Sequence, residues 1–411
     1  MECIYPKSEI PHYSLFILVR FFELELELTG SMKQRILLYL VLLCLPNLVI
    51  GQQTINGSIM HDGLTRTYIL YVPASYSAST PAPLVLNYHG YSSTAGEQML
   101  YGDFRPIADT AGFLLVCPMG TPDLFGINHW NVGWGASNVD DVSFTEALID
   151  ALALEYNINT DRVYSTGMSN GGFMSYKLAC ELSDRIAAIA SVTGTMNLGQ
   201  FNSCNPEHPM PVMEIHGTAD QTVPYNGANW IESTEDVVNF WADFNNCENP
   251  PIINTVPDIN TTDGTTVQHF RYVNGDAGTE VEHFKILEGE HCWPGSIFNF
   301  PGTNYDINAS VEIWRFFSKY DINGLLYTTG TNQQLVESEA VQIYPNPSNS
   351  FLTVAFETPE TREFQLTNAQ GVVFLSGLST SDILELDVHQ LAGGIYFLKI
   401  GNQTYKVLKT L

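Results

Sequence analysis

A serine set between glycines is the first place in this chain where side chains have the types and spacing for chemistry. Gly167-Met168-Ser169-Asn170-Gly171 follows a strand-like run at 162–166 and opens a helix-like stretch. On a sharp strand-to-helix turn, glycines let the backbone crowd while the serine hydroxyl stands clear, the geometry of a nucleophile elbow. The next amide, of Asn170, opens the helix, where an N–H without an intrahelical partner and the helix dipole both favour a developing oxyanion. Ser169 is therefore the expected nucleophile and the Asn170 N–H an expected oxyanion donor.

A serine hydroxyl needs a base, and the base needs an acid to hold it. Residues 211–215 form a short apolar run that leads into His216-Gly217-Thr218-Ala219-Asp220, which puts Asp220 on a loop after a strand. Residues 281–287 alternate like a strand and lead into Glu288-Gly289-Glu290-His291-Cys292-Trp293-Pro294-Gly295, which puts His291 on a second loop. Asp220 is the expected acid and His291 the expected base, in the chain order serine, acid, histidine. Upstream, the buried-strand run 83–88 ends in His89-Gly90-Tyr91. Gly90 allows a tight turn there, the Tyr91 N–H is the expected second oxyanion donor, and His89 is expected to brace the loop by hydrogen bonds rather than to move protons. Trp293, Trp130 and Tyr225, aromatic and close to these motifs, are the candidate substrate-binding residues. The paired carboxylates Asp140 and Asp141 read as the N-cap of the helix they open.

These loops need strands to position them. Strand-like runs at 66–72, 84–88, 113–117, 162–166, 186–192, 212–216, 268–273 and 282–287 are interleaved with helical patterns at 141–156, 172–182, 234–244 and 308–320. Such alternation predicts an α/β domain with a mostly parallel sheet flanked by helices. Ser233 with Asp236 three residues on makes a capping box for the third helix.

Taken together, the elbow, Asn87-Tyr88-His89-Gly90, Trp130-Asn131 followed by Val139-Asp140-Asp141-Val142-Ser143-Phe144, and the loops at 216–225 and 290–295 resemble a secreted esterase family. That family includes polyhydroxybutyrate depolymerases, feruloyl esterases and acetylxylan esterases, and the resemblance covers roughly residues 60–320. It implies an α/β-hydrolase fold and a Ser-His-Asp triad at Ser169, His291 and Asp220. One departure is Glu290-His291-Cys292, where relatives more often have a glycine before the histidine and a threonine after it.

Composition narrows the partners. The formal net charge is −27, from 17 Lys and Arg against 44 Asp and Glu, which argues against nucleic acid and anionic membrane surfaces as partners. A basic Met32-Lys33-Gln34-Arg35 before the apolar stretch 36–50 reads as a secretory signal peptide at 32–52, with residues 1–31 a mis-assigned start and no stable membrane span in the mature chain. Five cysteines follow it, and export permits disulfides. The expected pairs are Cys180–Cys204 and Cys247–Cys292, with Cys117 a small apolar core residue. Neither CxxC nor a histidine pair at metal spacing occurs, so no metal and no other cofactor is expected.

After an esterase domain at 54–322, residues 323–340 turn polar and aperiodic and read as a linker. Residues 341–411 carry short strands separated by turns, a small all-β sandwich. Ile343-Tyr344-Pro345-Asn346-Pro347-Ser348, Leu391-Ala392-Gly393-Gly394-Ile395-Tyr396-Phe397-Leu398-Lys399-Ile400 and Lys406-Val407-Leu408-Lys409 resemble the C-terminal sorting domain of type IX secretion in the Bacteroidetes. The resemblance implies the type IX machinery as partner and an extracellular place, released or attached to the cell surface. The expected function is a serine carboxylic ester hydrolase working through an acyl-enzyme on feruloyl or acetyl esters of plant polysaccharide or on a polyhydroxyalkanoate-type polyester. The alternatives are a serine peptidase of the same fold and a non-catalytic surface-binding module.

Overall fold

A computed structural model describes residues 52–326 and, apart from 345, 347, 349, 357, 369–372 and 402, residues 341–409. The signal peptide and the early start expected from the sequence lie outside the described residues, as does the linker from 327 to 340. The described chain falls into two compact units, divided between Tyr327 and Thr328.

The first unit is built on a ten-stranded sheet. Its strands are β1 (Gln53–His61), β2 (Leu64–Val72), β3 (Ala82–Tyr88), β4 (Leu114–Pro118), β5 (Ile158–Met168), β6 (Ala188–Val192), β7 (Val212–Gly217), β8 (Ile252–Thr255), β9 (Thr266–Tyr272) and β10 (Val281–Leu287). They lie in the order β1-β2-β4-β3-β5-β6-β7-β10-β9-β8. From β4 to β10 every neighbouring pair is parallel, and an antiparallel extension closes each flank. The central strands are apolar on both faces because helices cover both. Along β3 the side chains alternate, with Leu84, Leu86 and Tyr88 in one core cluster and Val85 in the other.

The helices are α1 (Ala95–Tyr101), α2 (Arg105–Ala111), α3 (Asp141–Glu155), α4 (Asn170–Glu181), α5 (Leu198–Ser203), α6 (Thr234–Phe244) and α7 (Ala309–Phe317). In α3, Asp141, Phe144, Thr145, Leu148, Ile149 and Leu152 are buried, the stripe a helix presents to a sheet. The carboxylates that open α3 divide the work. Asp140 caps the helix, accepting from the Val142 and Ser143 amides at 3.1 and 3.0 Å. Asp141 is buried and pairs with Arg66 at 2.6 Å. Ser233 caps α6 through the Asp236 amide at 3.1 Å.

All eight strand-like runs are strands. β1 and β8 went unread because they are edge strands whose residues are exposed or half-buried, so no buried face imposes a pattern. The short helices α1, α2 and α5, of six or seven residues, were too brief to show a period. The expected linker start is also corrected: Gly324–Leu325 pairs with Tyr320–Asp321, and Leu325 packs on the core.

The second unit holds β11 (Gln342–Tyr344), β12 (Phe351–Ala355), β13 (Arg362–Asn368), β14 (Val373–Ser379), β15 (Ile383–Asp387), β16 (Gly394–Ile400) and β17 (Gln403–Lys409). They form two antiparallel sheets, β11-β12-β15 and β14-β13-β16-β17. One core joins them, with Leu352, Val354 and Leu386 from the first and Leu366, Leu398 and Ile400 from the second. Among the described residues no helix is long and apolar enough to cross a membrane.

Candidate active site

The loops after β3, β5, β7 and β10 carry His89, Ser169, Asp220 and His291. These strands are parallel and lie within one stretch of the sheet, so their C-terminal ends open on one side. Ser169 sits between β5 and α4 with φ 54° and ψ −120°, a backbone conformation that side-chain-bearing residues rarely adopt. The turn forms because two glycines flank it. A Cβ at Gly167 would lie 2.5 Å from the Tyr88 carbonyl oxygen, and one at Gly171 would overlap the same carbonyl. The elbow is thus pressed against the end of β3, and a Cβ on Gly90 would stand only 3.5 Å from Ser169 Cβ.

Both expected oxyanion donors are near this point. Asn170 is the first residue of α4, so its N–H has no intrahelical carbonyl. The Tyr91 N–H has no hydrogen-bond acceptor among the described residues. The Tyr91 hydroxyl donates to Asp123 Oδ2 at 2.7 Å, and Asp123 Oδ1 accepts the Phe125 and Ile127 amides, which ties the loop to a tight turn.

His89 braces this side. Its Nε2 accepts the Gly120 N–H at 2.9 Å and its Nδ1 lies 2.7 Å from the Gly90 carbonyl, so the proton is on Nδ1 and the ring is neutral. Burial pushes its pKa down to about 4. Trp130, expected at the substrate, is fully buried instead and does not line the cavity. Its indole N–H donates to the His89 carbonyl at 2.9 Å, its backbone is clamped by both ends of the Asn170 amide, and its ring packs edge-on against Tyr88. Trp130 therefore joins the β3 loop to the elbow, a role its sequence position alone does not distinguish from a cleft wall.

On the other side, His291 Nδ1 lies 2.7 Å from Asp220 Oδ2. A carboxylate partner puts the proton on Nδ1 and leaves Nε2 free as a base. Asp220 Oδ1 accepts the Thr222 and Val223 amides at 2.8 and 2.9 Å. Burial alone would raise the Asp220 pKa, but the two histidines that share the carboxylate, His216 and His291, hold it well below the usual range.

Behind Asp220 the structure holds residues to which the sequence assigns no role. His216, fully buried, has Nδ1 2.9 Å from Glu214 Oε1 and Nε2 2.9 Å from the Val223 carbonyl and 3.4 Å from Asp220 Oδ2. Glu214 Oε2 accepts the Tyr176 hydroxyl at 2.8 Å. The available signal was a glutamate and a histidine, both polar, two residues apart in an otherwise apolar strand that faces cores on both sides.

Ser169 and His291 line one cavity of about 500 Å³. Met168, Trp293, Phe298 and Phe300 give it an apolar wall, and Ser93, Glu97 and Tyr101 a polar one. Trp293 reaches the cavity although it is almost buried, with its indole N–H donating to Ser310 Oγ at 3.2 Å. Tyr225 does not line it: its hydroxyl lies 2.9 Å from His283 Nε2 and its ring packs beside His216, so it supports the acid loop from below.

Cys180 and Cys204 are bonded. The Cys247–Cys292 pair is not: both are free, because Cys247 packs by Thr279, just before β10, while Cys292 follows its far end. Seven strand residues separate those ends by roughly 20 Å, and a disulfide needs Cα atoms within about 7 Å. Cys117 is buried in the core, where the thiol is pushed up by burial. Among the described residues no group of three or more His, Cys, Asp and Glu side chains is arranged to hold a metal ion.

Comparison with known proteins agrees with this architecture. Residues 82–249 match the family described as Phospholipase/Carboxylesterase, and residues 342–411 match the Secretion system C-terminal sorting domain. The chain is 30% identical over 173 residues to a bifunctional acetylxylan esterase/xylanase of Neocallimastix patriciarum, covering 42% of this chain and 24% of that protein. It is 29% identical over 201 residues to feruloyl esterase B of Piromyces equi, covering 46% of this chain and 37% of that one. The chain thus spans well under half the length of either relative. The solved structure of an acetyl xylan esterase from Aspergillus awamori has 14% identity and a TM-score of 0.47, over 65% of this chain and 99% of that one. With an elbow serine and a histidine-aspartate pair at the strand ends of a mixed α/β sheet, the chain joins an α/β-hydrolase domain, similar over residues 82–249 to the phospholipase/carboxylesterase family, to a C-terminal region that matches a secretion-system sorting domain.

Proposed function

We propose that the protein is an exported serine carboxylic ester hydrolase with Ser169 as nucleophile, His291 as base and Asp220 as acid. The observation that carries this is the 2.7 Å His291–Asp220 contact beside an elbow serine that lines the same cavity. His291 Nε2 takes the Ser169 proton as the oxygen attacks the ester carbonyl, and Asp220 stabilises the imidazolium. The Asn170 and Tyr91 amides receive the oxyanion, each contributing about 3 kcal/mol to the barrier reduction. The alcohol leaves with the His291 proton, and water activated by the same nitrogen releases the acid.

The acyl group is the feruloyl or acetyl unit of a plant-polysaccharide ester. Support comes from the names of the relatives and from the cavity, where an apolar aromatic wall faces Ser93, Glu97 and Tyr101 across a space wide enough for a substituted ring. Ile297, Phe298 and Phe300, the last 60% exposed, extend the apolar surface beyond the mouth. A polymer chain attached to the ester has room there. The C-terminal unit acts as a type IX export signal, which places the enzyme outside the cell or on its surface.

The test is turnover of methyl ferulate, acetylated xylan and a polyhydroxybutyrate film by the full chain and by Ser169→Ala. Ferulate or acetyl release that disappears in the variant supports the proposal. Clearing of the film alone would move the substrate to polyester. Fluorophosphonate labelling of Ser169 with no ester turnover would favour a peptidase, and undiminished turnover in Ser169→Ala would remove the triad.

A further inference from the structure

We propose that His216 is a charged positioning residue, an imidazolium that holds the Asp220 carboxylate ionised and oriented toward His291; this rests on the hydrolase reading above. Each ring nitrogen of His216 faces acceptors: Nδ1 meets Glu214 Oε1 at 2.9 Å, and Nε2 meets the Val223 carbonyl at 2.9 Å and Asp220 Oδ2 at 3.4 Å. A neutral imidazole has one nitrogen with a lone pair and no proton, and here that lone pair would face an oxygen whichever tautomer formed, a contact that only a proton on Glu214, whose carboxyl pKa burial raises, would otherwise satisfy. The ring is fully buried, so water cannot relieve that repulsion. The doubly protonated ring satisfies every contact at once.

The surrounding groups fit this assignment. Glu214 closes the far end of the row, with Tyr176 donating to its second oxygen. Tyr225 packs its ring against His216 at 5.9 Å, and His283, which contacts both the Tyr225 hydroxyl and the Glu214 carbonyl, is pushed down to about 3 by burial and stays neutral. Burial would lower the His216 pKa, yet the Asp220 and Glu214 contacts raise it to about 10. Tyr176, Glu214, His216, Asp220 and His291 thus form one row in which positive charge sits between two carboxylates. Asp220 Oδ2 is shared by two imidazoles, and its direction is set from behind by His216 before His291 takes up a proton.

Two measurements test this. The first is the long-range ¹H–¹⁵N spectrum of the full chain at pH 8, in which His216 is expected to be protonated at both ring nitrogens while His89 is protonated at one. The spectrum needs no substrate, so it decides on His216 even if ester turnover proves absent, an absence that would overturn the hydrolase reading alone. The second is the pH profile of kcat/KM for His216→Gln. Loss of this positive charge should move the acid limb of the profile up by about one pH unit. It should lower kcat on the order of 100-fold with little change in KM, because the carboxylate is misplaced rather than removed. A singly protonated His216 in the wild-type spectrum, or an unmoved acid limb in a folded His216→Gln, overturns the proposal. If His216→Gln does not fold, Glu214→Gln gives the same information: the His216 titration should fall from its alkaline value, and no change in it would count against the charged row.

Discussion

The dipeptide His-Gly stands at the C-terminal ends of two strands of the sheet, just after one and closing the other, and the two histidines serve opposite electrical roles. His89 after β3 and His216 within the end of β7 are both fully buried. His89 receives the Gly120 amide on one nitrogen and is neutral. His216 has only oxygen atoms at both nitrogens and, on the inference above, is charged. Burial is common to the pair, so it does not decide the charge. What decides is the partner: a backbone N–H meets one nitrogen of His89, whereas the Glu214 and Asp220 carboxylates and the Val223 carbonyl face the nitrogens of His216.

Under the proposed mechanism, the difference assigns each histidine to one half of the reaction. The His89 half is a rigid frame for amide dipoles that must not change as the oxyanion forms. The His216 half is an electrostatic frame around a proton that moves. Removing the group that both halves serve should have the largest effect: Ser169→Ala lowers kcat on the order of 10⁶-fold with an unchanged unfolding midpoint, measured by ester turnover and by thermal melting. Next is Asp220→Asn, which strikes only the His216 half and should lower kcat about 10⁴-fold, because the imidazole loses the partner that fixes its tautomer. Trp130→Phe strikes the other half. It leaves the buried His89 carbonyl without its indole donor, and the denaturant midpoint should show a loss of about 1–3 kcal/mol.

Smaller, but most direct for the comparison, is the pH dependence of stability. His89 has a folded pKa of about 4 against 6.5 unfolded, so the unfolded chain alone takes up a proton below pH 6.5, and stability falls from there toward pH 4. His216 has a folded pKa of about 10, so its contribution is complete below pH 6.5 and is lost as pH rises toward 10. Melting curves for His89→Gln should be flatter than wild type on the acid side only, and those for His216→Gln on the alkaline side only. Both variants flattening on the same side would erase the distinction.

How far the sequence carried this picture depended on whether a residue's role is local. Ser169, its glycines and the N-caps at Asp140 and Ser233 are set by neighbours a few positions away, and their spacing was readable. The central strands were readable because burial on both faces leaves an uninterrupted apolar run. Trp130, Tyr225 and Cys247 were misplaced because their partners, His89 and Asn170, His283, and Thr279, come from remote segments whose approach no local pattern encodes. His216 stood in view inside a recognised loop. Its state depends on the Glu214 and Asp220 carboxylates and the Val223 carbonyl that the fold brings to its ring, an arrangement that residue types alone do not fix.

The unusual dihedrals of Ser169 bear on how the protein tolerates change. A residue with a side chain held at φ 54° and ψ −120° costs about 1–3 kcal/mol relative to an unstrained one, and the rest of the fold has to hold it there. Glycine adopts that conformation without the penalty. Ser169→Gly should therefore melt higher than the wild type while hydrolysing nothing, in contrast to Ser169→Ala, which keeps the penalty. Stability alone therefore favours glycine at this position, and under the proposed mechanism the serine keeps a strained backbone for the sake of its hydroxyl.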